Sequence, residues 1–130
     1  AFGFSGIEVV DLDLDGDLDV VATNGDTLDS HYLKPSHGIL WLENRGQFPF
    51  RARYVAPLPG AMRAVCADLD RDGDLDIVAA AFLPASLRSQ YPKGSTETLI
   101  WLEQTPNPGD FKRHTLEVGD AGHMTILASD

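Results

Sequence analysis

The feature that most constrains this chain is a nine-residue acidic segment that occurs twice. Asp11-Leu-Asp-Leu-Asp-Gly-Asp-Leu-Asp19 matches Asp68-Leu-Asp-Arg-Asp-Gly-Asp-Leu-Asp76 at eight of nine positions, 57 residues apart. Other pieces repeat in the same order. The run Ile39–Glu43 matches Leu99–Glu103 at an offset of 60, and Phe50–Arg53 resembles Phe111–His114 at an offset of 61. A chain built from two units of about 60 residues must bury its apolar surface between units, because one small unit cannot cover its own two faces.

Each unit reads as four short strands. The first is Ile7–Val10, or Met62–Ala67, and the acidic segment follows it. The second is Asp19–Thr23, or Asp76–Phe82. The third is Gly38–Asn44, or Thr98–Gln104, rich in β-branched and aromatic residues. The fourth is Phe50–Val55, or Phe111–Val118. No window carries a sustained helical period. Four-stranded units in tandem predict an all-β fold, two four-stranded blades of a β-propeller with a loop between strands 1 and 2. The expected division is a first blade at 1–60, a second at 61–120, and the first strand of a third at 121–130. Met124–Ser129 resembles Arg63–Ala67, with Asp130 in the place of Asp68. The long connections 24–37 and 84–97 are expected to be variable surface loops.

Charge is concentrated rather than spread. The chain has 20 acidic and 10 basic residues, for a net charge of −10. Ten of the acids lie in the two repeated segments; outside them ten acids face nine bases. This argues against nucleic-acid binding, which needs a basic face. No apolar run approaches the roughly 20 residues of a membrane-spanning helix, so no membrane insertion is expected. The first six residues have neither a basic start nor a cleavage pattern, so no signal peptide is expected in this chain. Cys66 is the only cysteine, which leaves the redox compartment open.

The pattern Asp-x-Asp-x-Asp-Gly-x-x-Asp suits a hard cation. Carboxylates at alternate positions point to one side of a curving backbone, while Leu12 and Leu14, or Leu69 and Arg71, point away. Gly16 and Gly73 permit the positive φ of a sharp turn. The seventh-position carbonyl then faces inward and the ninth-position Asp closes the shell. Six or seven oxygen ligands fit Ca²⁺, with Mg²⁺ second because it keeps more of its own water. An EF-hand would need Glu at position twelve and flanking helices. That position holds Ala22 or Ala79, and the flanks are β-like.

These loops, the strands that follow them and the Trp-Leu-Glu third strand resemble FG-GAP/VCBS-type repeats, the calcium-bearing blades of integrin α-like β-propellers. The resemblance implies metal ligation by the side chains of Asp11, Asp13, Asp15 and Asp19 with the carbonyl of Asp17. In the second loop it implies Asp68, Asp70, Asp72 and Asp76 with the carbonyl of Asp74. The Phe-Gly…Gly-Ala-Pro signature is absent, and two blades are fewer than a closed ring needs.

No catalytic elbow, phosphate loop or zinc-type His pair is present. His31 and His37 share a loop with Asn24, Asp26 and Asp29, which reads as a polar surface loop or as a unit-specific site. His114 is expected to be exposed. Cys66 is expected to pack as a small hydrophobe. Trp41 and Trp101, which occupy the same position in both units, are expected to pack between blades. The function expected is a structural, adhesive scaffold for a protein or carbohydrate ligand, extracellular or periplasmic where calcium is abundant. It would act as a homo-oligomer closing a ring or as part of a longer chain. The alternatives are a fragment of a propeller hydrolase or lyase with its site in the His31/His37 loop, and a calcium sensor.

Overall fold

A computed structural model describes residues 3–25, 27, 32–92, 94–119 and 122–128. The strands are β1 (Gly6–Val10), β2 (Asp19–Asn24), β3 (Gly38–Glu43), β4 (Arg51–Pro57), β5 (Ala61–Ala67), β6 (Asp76–Ala81), β7 (Glu97–Gln104) and β8 (Phe111–Val118). They form two antiparallel meanders, β1-β2-β3-β4 and β5-β6-β7-β8. Each is one sequence unit, as the repeat predicts. The acidic loops close the β1–β2 and β5–β6 hairpins, so that Val10 pairs with Asp19 and Ala67 with Asp76.

The connection 84–97 is not wholly irregular. It contains α1 (Ala85–Arg88), one helical turn that follows Pro84 and buries Leu87. A single turn is too short to leave a periodic signal in the sequence. Residues 122–128, expected to begin a third unit, form no strand.

The two sheets stack, and β5 lies across β1 and β2. Period-two alternation gives each sheet two faces. Val21, Ile39 and Trp41 from unit 1 meet Ala64, Ile77, Ala79, Ile100 and Leu102 from unit 2, and all are buried in one core. Close approach at the seam explains the alanines of β5 and β6. Ala64 is 2% exposed, whereas Ile7, which holds the same place on the open face of unit 1, is 54% exposed. The other open face belongs to unit 2. Leu12 is fully buried at the seam, while its repeat mate Leu69 is 48% exposed. Trp41 packs between the sheets as expected, against Gly109 of unit 2.

Polar contacts also cross the seam. Arg63 donates to the carbonyl of Ile7 at 2.8 Å and to Glu8 at 2.9 Å. Arg113 donates to the carbonyl of Pro57 at 2.7 Å, and Thr23 to that of Met62 at 3.1 Å. Thr27 donates to the carbonyl of Phe82 at 3.1 Å. The connection 24–37 is thus less of a surface loop than expected: Asn24, Thr27 and His37 are all buried.

Candidate metal centre

In each acidic loop three carboxylates converge. Oxygens of Asp11, Asp13 and Asp15 lie within 4.8 Å of one another, and so do those of Asp68, Asp70 and Asp72. These are the first, third and fifth positions of the motif. The side chains of Asp17, Asp19, Asp74 and Asp76 lie outside these two groups.

Backbone hydrogen bonds shape the loops, and they repeat bond for bond. Asp11 accepts from the N–H of Asp15 at 3.0 Å and of Gly16 at 2.9 Å; Asp68 accepts from Asp72 and Gly73, both at 3.1 Å. Asp15 accepts from the N–H of Asp17 at 2.9 Å, and Asp72 from that of Asp74 at 3.1 Å. Gly16 and Gly73 have φ of +98° and +100°, as their place in the motif predicts. Leu14 and Arg71 are also left-handed, at +58° and +65°. The motif points to that conformation at the glycines alone, and a leucine gives no hint of it.

The ninth-position carboxylates take a second part. Asp19 is fully buried. It accepts from the N–H of Leu12 at 3.3 Å and of Asn44 at 2.7 Å. Asp76 accepts from Leu69 at 3.2 Å and Gln104 at 2.9 Å. Each therefore ties the start of its loop to the end of the third strand. Asn44 and Gln104 were not among the residues singled out from sequence. The available signal was an amide side chain closing the third strand in both units.

The electrostatics show what the loops lack. Burial, together with the charges of Asp19 and Asp15, pushes the Asp13 carboxyl above its usual range. Asp70 and Asp74 shift the same way, first by lost hydration and then by crowding from neighbouring aspartates. Oδ1 of Asp13 and Oδ1 of Asp74 are buried with no donor among the described residues. A divalent cation fits this donor set: it would satisfy oxygens that no N–H reaches and relieve the repulsion.

The histidines give no comparable cluster. His31, Asp26 and Asp29 lie outside the described residues. His37 is 2% exposed, its carbonyl accepts from the Tyr54 hydroxyl at 3.0 Å, and Asn24 donates to the carbonyl of Ser36. His114, expected to be exposed, is half-buried: it is stacked on Trp101 at 4.5 Å and bonded to Glu103. Cys66 packs beside the core, and burial pushes its thiol up to about 12.

Comparison with curated proteins and with solved structures gives no match. A model of the FG-GAP-like repeat matches residues 11–79, just over half of the chain and a span that holds both acidic loops. The duplicated loop, the four-stranded sheet that each unit forms and this match together place the chain in the FG-GAP-like repeat family.

Proposed function

We propose that this chain is a calcium-stabilised β-propeller repeat module, structural and adhesive in role, that presents its loops to a protein or carbohydrate ligand. One observation carries the metal: the same three-carboxylate cluster forms twice, and Oδ1 of Asp13 in the first is buried with no donor among the described residues. Asp11, Asp13 and Asp15, and Asp68, Asp70 and Asp72, would supply carboxylates. The carbonyls of Asp17 and Asp74 and the carboxylates of Asp19 and Asp76 lie close along the chain to complete each shell. Oxygen donors in this number suit Ca²⁺ better than Mg²⁺. The ion holds hairpin loops of the scaffold, so it serves stability. Loops of ordinary affinity would fill in an extracellular or periplasmic setting, where calcium is plentiful.

Among the described residues no helix is long and apolar enough to cross a membrane. The enzyme reading draws little from His37, which is 2% exposed. Titration calorimetry and melting in calcium or chelator test the proposal. Binding heat and a raised melting temperature are expected, since a ligand of the folded state alone stabilises it by mass action. Neither heat nor shift at millimolar calcium would refute it.

A further inference from the structure

Gln104 is the last residue of β7 and is 4% exposed. Its side-chain NH₂ lies between the two acidic loops. It donates to the carbonyl of Leu75, the eighth position of the second loop, at 3.1 Å. It also donates to the carbonyl of Leu12, the second position of the first loop, at 3.2 Å and 92 residues away in sequence. Those positions adjoin Asp74 and Asp76 in one loop and Asp11 and Asp13 in the other. The main-chain N–H of Gln104 donates to Asp76 at 2.9 Å. We propose that Gln104 is a positioning residue that couples the two acidic loops, so that filling one raises the calcium affinity of the other. The inference rests on the metal reading above and adds to it a residue that is not itself a ligand.

The coupling follows from what the amide loses when either loop moves. Leu12 is fully buried, and its N–H is tied to the Asp19 carboxylate at 3.3 Å. Its carbonyl cannot shift without leaving a buried N–H of Gln104 unsatisfied, which is costly. The same holds for the carbonyl of Leu75. An ion that orders one loop fixes one acceptor of the amide, and the amide then holds the acceptor in the other loop. The second ion meets a loop whose ordering is partly done, so less of its binding free energy is spent on that ordering.

Unit 1 shows which change would cut the link and spare the rest. Asn44 holds the place of Gln104 with one carbon fewer. Its N–H donates to Asp19 at 2.7 Å and its NH₂ to the carbonyl of Leu18 at 3.1 Å. These are the counterparts of the bonds from Gln104 to Asp76 and Leu75. An asparagine at this place therefore serves its own loop. Gln104→Asn should keep those two bonds and lose the reach to Leu12.

Calcium titration calorimetry on the full chain tests this, with Asp13→Ala to disable the first loop and Asp70→Ala to disable the second. Each of these variants gives the affinity of the remaining loop alone. The product of the parent's two stepwise association constants should exceed the product of the two single-loop constants by about fivefold or more. In the Gln104→Asn background the two products should agree. A merely structural role for Gln104 would weaken both loops and leave the excess in place. Gln104→Met, which keeps the length and lacks the NH₂, replaces Gln104→Asn if that variant does not melt cooperatively in chelator. Equal products in the parent overturn the proposal, and so does an excess that survives the loss of the amide. Two independent calcium sites would refute the coupling alone, whereas no binding heat in the parent would refute the metal reading and the coupling with it.

Discussion

Gly109→Ala probes the seam that makes two sheets into one body. The residue sits at φ +88°, and an added Cβ would lie 2.6 Å from Cζ3 of Trp41. A non-glycine residue in left-handed conformation costs roughly 1–2 kcal/mol. Overpacking a buried ring that cannot move aside adds about 1–3 kcal/mol. The sum, about 2–5 kcal/mol, corresponds to a fall in Tm on the order of 10 °C for a domain of this length. Gly94→Ala separates the two costs. Gly94 has φ +73° with nothing within 4 Å of its Cβ position, so it suffers the backbone cost of roughly 1–2 kcal/mol alone. Urea unfolding of both variants gives the difference directly, and the emission of Trp41 should shift only for Gly109→Ala. Equal losses at the two positions would refute the packing of the 105–110 turn on Trp41.

Three further outcomes follow from named groups. Asp13→Asn should raise the melting temperature in chelator, by removing a buried and repelled charge, and lower it in calcium, by removing a ligand; a shift of the same sign in both would be inconsistent with a metal role. Glu97 is held below its usual range of 4.5, chiefly by hydrogen bonding from Arg113 and then from Thr115. A depressed carboxyl stabilises the fold above its ordinary pKa and loses that contribution as pH falls through its lowered value. The stability gap between the parent and Glu97→Gln should therefore be full near neutrality and close as pH falls below the ordinary carboxyl range and through the lowered value, as melting curves across pH would show. Finally, a Cys66 thiol pushed up to about 12 should alkylate at pH 8 on the order of a thousandfold more slowly in the native protein than in denaturant; comparable rates would place Cys66 outside the packed seam.

Much of the fold is legible in the sequence because a repeat declares its own boundaries. Expected and observed strands agree to within two residues, and β8 coincides. The conformation of the acidic loops is legible too, since alternate aspartates and a glycine at fixed spacing mark a tight turn, and both glycines take positive φ. What is hidden is what lies between units. Arg63, Gln104, Gly109 and Arg113 act on partners more than 50 residues away, and no local pattern marks them. The burial of Asn24, Thr27 and His37 is hidden for the same reason. These polar residues face another segment of chain, as Thr27 faces the carbonyl of Phe82, whereas composition alone suggests water. His114 misleads in its own way. Its neighbours in sequence are Lys112 and Arg113, but across the sheet it meets Trp101.

The seam and the acidic loops are mechanically one device, and Gln104 is where they join. Its main-chain N–H donates to Asp76 at 2.9 Å. Its side-chain NH₂ donates to the carbonyl of Leu75 at 3.1 Å and, across the seam, to that of Leu12 at 3.2 Å. Its side-chain oxygen accepts from the N–H of Gly109 at 3.2 Å, within the turn that packs on Trp41. One buried amide thus holds the loop of its own unit, the loop of the preceding unit and the turn that closes the core. Asn44, one carbon shorter, makes the equivalent bonds to Asp19, Leu18 and Gly46, all within unit 1. Repulsion among the aspartates of either loop would therefore be felt at the anchor points of the seam, and a cation that relieved it would steady the contact between sheets as well as its own loop. Calcium in such a module would act on the stacking of sheets, the property on which a rigid propeller scaffold depends.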